Sequence, residues 1–196
     1  WEDAVIEYDQ GIHLNWPSPY TYGRWWLGED RGLKANSNYN KQIKDLKDFF
    51  EKSRVNMSIE NSMNLKSIAM STIFEGLTTV YLYADDEKEI VDGVTFLKGY
   101  GIDKIVIVGA TGSKNQLNFI KKNNIPVVVK QPYRFPQSTD SDPMETFEIA
   151  KKMLDQGILV SIDPTGTTMA RVSVRNLPFY AGSFSSFGID KEIALS

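Results

Sequence analysis

The chain has no cysteine and a single histidine among 196 residues, and those two shortages restrict its chemistry more than anything it contains. Without cysteine there are no disulfides, no thiolate nucleophile and no zinc site built on sulfur. A catalytic zinc usually takes two or three imidazoles, and only His13 could offer one. A net charge of −3 provides no general basic field for phosphate backbones, so nucleic acid is not an expected partner. No apolar run approaches the roughly 20 residues that cross a bilayer, so no membrane association is expected and the chain should be soluble. Its compartment cannot be read, because the chain opens on Trp1 with no initiator methionine. The helical beginning at Asp190-Lys-Glu-Ile-Ala-Leu-Ser stops at Ser196, and both ends read as cut from a longer protein.

What is present is a chain 41% apolar and 24% charged, enough for one compact unit with a core. Residues 1–60 divide from residues 61–196. The first part, to about Tyr39, is rich in aromatic residues, Gly, Pro and Asn around Trp16-Pro-Ser-Pro-Tyr-Thr-Tyr-Gly-Arg-Trp-Trp, which predicts irregular structure laying aromatic rings over a neighbouring core, or a stacking surface for a sugar or peptide. Ile43, Leu46 and Phe50 recur at helical spacing between Asn40 and Ser53, and a second helix is expected from Ser62 to Glu75, ended by Gly76. Strands then alternate with helices: Thr78 to Ala84, Lys104 to Ala110, Pro126 to Lys130 and Gly157 to Asp163 are strand-like. The segments from Lys88 to Tyr100, Lys114 to Asn123 and Met144 to Gln156, and the stretch after Asn176, are helical. Runs such as Ile105-Val-Ile-Val suggest parallel strands buried on both faces. The class is α/β, with four βα units.

Parallel βα units bring every strand-to-helix loop to the carboxyl edge of the sheet, where ligands of such folds bind. Asp85 and Asp86, after the first strand, could supply a general base or a cation ligand, but Asp at a helix start also caps free N–H groups. Gly109-Ala-Thr-Gly112 could cradle a phosphate, which makes an NADP-binding βαβ unit an alternative, with Lys130 meeting the 2′-phosphate; a tight turn explains the glycines equally well. Asp163 ends the fourth strand, where a carboxylate can act in proton transfer or cap the turn that follows. Tyr83, Asp85, Lys130, Gln131 and Arg134 form the expected ligand-binding set, Arg134 being able to pair bidentately with a carboxylate. His13 lacks a second ligand at metal spacing and reads as a satisfied loop or core residue.

Two stretches carry a resemblance. Ala84-Asp-Asp-Glu-Lys-Glu-Ile-Val, with Phe96-Leu-Lys-Gly-Tyr-Gly-Ile and Lys104-Ile-Val-Ile-Val-Gly, is one; Arg175-Asn-Leu-Pro-Phe-Tyr-Ala-Gly, followed by Phe187-Gly-Ile-Asp-Lys-Glu-Ile-Ala-Leu-Ser, is the more specific. Both resemble the later half of imidazolonepropionase-like proteins of the amidohydrolase superfamily. The resemblance implies the second half of a (β/α)8 TIM barrel whose four strands are its fifth to eighth. In that family a divalent metal such as zinc is held by a His pair on the first strand and His residues ending the fifth and sixth, with an Asp ending the eighth. Tyr83 and Gly109 then stand where two of the histidines are expected, and Asp163 matches the aspartate.

The resemblance therefore implies a parent hydrolysing C–N bonds of an amide or cyclic amide. This chain by itself is expected to hold no metal or other cofactor and to lack hydrolytic activity. A non-catalytic barrel relative binding a small-molecule or peptide-like ligand is the competing expectation. Two unpaired sheet edges would also permit a homodimer.

Overall fold

The computed structural model describes residues 10–23, 25–30, 32–57, 65–130, 142–163 and 174–195. Its organising element is a five-stranded sheet in which β1 (Gly11–Asn15), β4 (Thr79–Ala84), β5 (Ile105–Gly109), β6 (Val127–Lys130) and β7 (Val160–Asp163) follow one another in that order, every neighbouring pair parallel. Two short strands, β2 (Tyr20–Tyr22) and β3 (Leu33–Ala35), form a separate antiparallel pair. The helices are α1 (Tyr39–Met57), α2 (Leu65–Phe74), α3 (Glu87–Gly99), α4 (Leu117–Lys122), α5 (Glu145–Asp155), α6 (Leu177–Ser186) and α7 (Lys191–Leu195).

The segment expected to be irregular thus supplies a fifth parallel strand. In Gly11-Ile-His-Leu-Asn, Ile12 and Leu14 pack against the core while His13 and Asn15 are exposed on the opposite face, the period-2 pattern of a strand. Flanking Gly, Pro and Asn residues hide that pattern in the sequence. The backbone amide of Trp16 then donates to the carbonyl of Tyr83 at 3.1 Å, extending the pairing, and the indole is buried edge-on against Phe96. The expectation of an aromatic ring laid over the core holds for Trp16, whereas Tyr20, Tyr22 and Trp26 are exposed.

The second departure concerns the faces of the sheet. Along β4, Val80, Leu82 and Ala84 are buried while Tyr81 and Tyr83 are only partly so, and β6 repeats the alternation. Helices pack on one face. Leu82, Ile107, Val127 and Val129 meet Ile90, Val94 and Leu97 of α3, Ile120 of α4 and Met153 of α5 in a single core. Gly93 lets α3 approach closely, since a Cβ there would lie 2.9 Å from a Leu82 methyl. The other face carries His13, Asn15, Tyr81, Tyr83, Val106, Val128, Lys130, Ser161 and Asp163, all partly or fully exposed. Val108 on this face is buried but stands apart from the main core. Continuous apolar runs read as burial on both faces; on the second face Val106 and Val128 are instead half-buried, and Val108 alone of the three is buried.

Helix ends follow local chemistry. Asp86 occupies the N-cap of α3 with extended backbone, and the Glu89 carboxylate reaches back to accept from the amides of Asp85 (2.9 Å) and Asp86 (3.4 Å), a capping box. Burial pushes the Glu89 carboxyl above its usual range, partly offset by those amide bonds and by Ser18. Gly76 closes the turn after α2 with a φ of +69°.

An aromatic group of Phe50, Phe74, Phe96 and Tyr100 joins α1, α2 and α3, with ring centroids 5.0–6.2 Å apart. Burial pushes the Tyr100 phenol up to about 12, reinforced by its hydrogen bond to Glu51 at 2.9 Å.

Two measurements test this arrangement. Leu82→Ala, on the covered face, should cost about 2–5 kcal/mol in urea unfolding, whereas Val106→Thr on the open face should cost about 1 kcal/mol or less. Equal losses would show that both faces are packed. Because the folded-state pKa of Tyr100 lies above its ordinary value of 10, its contribution is complete below pH 10 and is lost as the pH rises towards about 12. Tyrosinate absorbance, compared with Tyr100→Phe, should assign the last-titrating phenol to Tyr100, and Glu51→Gln should bring it down.

Candidate functional site

The open face becomes polar at the carboxyl ends of the strands. His13 sits opposite Tyr81 in the β1–β4 register, and its ring stacks on Tyr81 with centroids 5.1 Å apart and planes 14° from parallel. Its Nδ1 lies 2.9 Å from the Tyr83 hydroxyl. From β6, the Lys130 ammonium reaches over the Tyr83 ring, 5.0 Å from its centroid, in cation–π geometry. Lys130 is paired in register with Asp163 at the end of β7. Burial raises the Tyr83 phenol pKa, and the negative charge of Asp163 and the neighbouring Tyr81 raise it further.

Four strands therefore contribute to one cluster of His13, Tyr83, Lys130 and Asp163. The strand between β4 and β6 brings no polar side chain: β5 offers Val106 and Val108 to this face and ends in Gly109. A long lysine can consequently lean across it to Tyr83. Three of the expected site residues, Tyr83, Lys130 and Asp163, meet here, while Gln131 and Arg134 lie outside the described residues. His13, read from sequence as a satisfied loop or core residue, is the member that was missed. Its signal was the Ile-His-Leu-Asn alternation, which puts the imidazole on the same face as Tyr81 and Tyr83 only once β1 is known to be a strand.

Asp85 has a different place. Its carboxylate accepts from the Thr111 hydroxyl at 2.9 Å, and its carbonyl accepts from the Gly112 amide at 3.0 Å, tying the loop after β4 to the loop after β5. The carboxylate also packs on Gly109, where a Cβ would lie 2.7 Å from Asp85 Oδ1 and 2.9 Å from the Ala84 carbonyl oxygen. Gly109 adopts a φ of +118°. Both space and backbone conformation demand glycine.

The same geometry bears on phosphate binding. The amides of Ala110, Gly112 and Ser113 donate to Ala84, Asp85 and Ala110 carbonyls, so they do not form an open cradle. A strand order that simply follows the chain also has no switch point, the place where dinucleotides bind in doubly wound sheets. Among the described residues, neither feature favours the phosphate site that the NADP alternative would use.

The same residues bear on metal-ligand chemistry. Among the described residues no three His, Cys, Asp or Glu side chains gather at a common point. His13 directs one nitrogen to Tyr83, and a lysine ammonium rather than a donor atom stands over the phenol. This set does not fit a zinc centre.

No protein-family model matches the chain, and no curated protein matches it. Among solved structures, an amidohydrolase from Thermotoga maritima is similar over 99% of this chain and 51% of its own, with a TM-score of 0.70 and 15% sequence identity. The chain thus spans about half the length of the solved structure it matches. At that identity the likeness concerns the fold, and the fold is amidohydrolase-like.

Gly109→Ala should lower stability by about 1–3 kcal/mol, through the strained φ and the displaced Asp85 carboxylate. Denaturant unfolding checks this; a neutral result would mean that the two loops are not braced as described.

Proposed function

We propose that this chain forms the later part of a (β/α)8 barrel of the imidazolonepropionase-like kind, and that its cluster at the carboxyl edge of the sheet binds a small polar or peptide-like ligand without a metal. The carrying observation is that His13, Tyr83, Lys130 and Asp163 converge from four strands on the face that the described helices leave open. Strand order supports the barrel reading, because consecutive parallel neighbours are how a barrel wall is built. β1 then takes the place before the fifth strand, giving five of the eight. Further support lies at the far edge, where an apolar groove beside β7 is lined by Val160, Ile162, Leu177, Pro178, Ile193 and Leu195 and invites more chain to pack there. A second copy closing on the same edges is the competing occupant, and sedimentation over a range of concentrations separates the two.

Metal-free binding rests on what occupies the positions that the resemblance assigns to imidazoles. Tyr83 stands at the fifth-strand position with its hydroxyl engaged by His13. At the sixth-strand position, Gly109 has no room for any side chain. Hydrolysis of an amide or cyclic amide by a larger assembly is the second reading, favoured by Asp163 ending β7 at the edge where a proton-transfer carboxylate belongs.

Metal analysis separates these readings. After incubation with zinc or manganese and removal of loosely held ions, the chain should retain substoichiometric metal. Stoichiometric metal, together with amide hydrolysis that Asp163→Asn abolishes, would overturn metal-free binding in favour of the hydrolase.

A further inference from the structure

The cluster has a polarity of its own, and that polarity selects a ligand. The Tyr83 hydroxyl and His13 Nδ1 share a hydrogen bond of 2.9 Å, and burial and the charge of Asp163 raise the pKa of the phenol. In the tautomer in which the phenol O–H donates, the imidazole carries its proton on Nε2, the nitrogen turned away from Tyr83. Stacking on Tyr81 fixes the plane of the ring, and the exposed His13 presents that N–H to solvent. Lys130 brings a full positive charge over the same phenol from the other side, 5.0 Å from the ring centroid. Asn15, opposite Tyr83 in the register and exposed, adds an amide to the same strand end. Two nearby carboxylates bear on the balance of charge. Asp85 is bound to Thr111 in the neighbouring loop, and Asp163, paired in register with Lys130, bears electrostatically on the Tyr83 phenol.

We infer that the His13 side of this mouth takes the carboxylate group of a small molecule, held between the Lys130 ammonium and the Nε2–H of His13. The inference rests on the binding reading of the preceding subsection and adds the chemical class. A carboxylate supplies acceptor atoms only, which matches two donors from opposite sides of the phenol, and charge-assisted hydrogen bonds of this type are the stronger ones.

The test uses the intact chain and its single histidine, whose imidazole gives an unambiguous proton NMR signal. N-acetylglycine and its uncharged counterpart N-acetylglycinamide are titrated separately at fixed pH. The acid should shift the His13 signal saturably, with an affinity about tenfold or more above that of the amide. Lys130→Met should bring the acid down to the level of the amide while the amide spectrum of the protein confirms an unchanged fold. Equal binding of acid and amide, or full affinity for the acid in Lys130→Met, overturns the carboxylate assignment and leaves the binding mouth standing. If neither compound moves the signal, and a panel of amines, sugars and dipeptides does not either, the binding reading falls with it.

Discussion

Alternation of side chains along five parallel strands decides both where this molecule keeps its core and where its polar cluster stands. Odd and even residues of β4 illustrate the division: Val80 and Leu82 enter the packed layer under α3, while Tyr81 and Tyr83 stand on the open face with His13. A register slip of one residue would exchange the two sets, exposing leucine and burying the polar cluster. The hydrophobic energy of the helix-covered face therefore holds the polar face in place, although the two share no side chain.

That dependence extends to the loops at the carboxyl edge. Gly109 ends β5 in a backbone conformation that side chains rarely adopt, and the space a side chain would fill is taken by the Asp85 carboxylate. Asp85, Thr111 and the Glu89 capping box brace the loops after β4 and β5 together. This has two chemical consequences. The loop amides are satisfied internally, and β5 contributes no polar side chain to the cluster, so Lys130 can cross to Tyr83. A cation–π contact and an imidazole–phenol hydrogen bond then meet at Tyr83.

Both edges of the sheet bear on the relation to the Thermotoga amidohydrolase. β1 and β7 each have one paired neighbour among the described residues, and the similarity covers about half of that chain. Leu159, at the start of the β7 edge, is 71% exposed, and Leu195 of α7 is 68% exposed. Apolar surface beside an unpaired parallel strand is unfavourable in water, and further chain packed there would relieve it.

Most of the framework was legible in the sequence. The alternation of strand-like and helical segments after Thr78, the aspartate at the start of α3, the glycine closing α2 and the amidohydrolase-like resemblance all follow from short-range patterns that survive in one dimension. That Tyr83, Lys130 and Asp163 share one edge was legible because parallel βα topology sends every strand end there. Tertiary structure alone decided the rest. Whether Gly11-Ile-His-Leu-Asn is a loop or a strand depends on β4 being available to pair with it, 68 residues away in the first register pair, Gly11 with Thr79. The role of His13 depends on that pairing in turn. Whether Val106 and Val128 are half-buried or fully buried depends on which layers pack against the sheet, and a run of valines reads the same in either case.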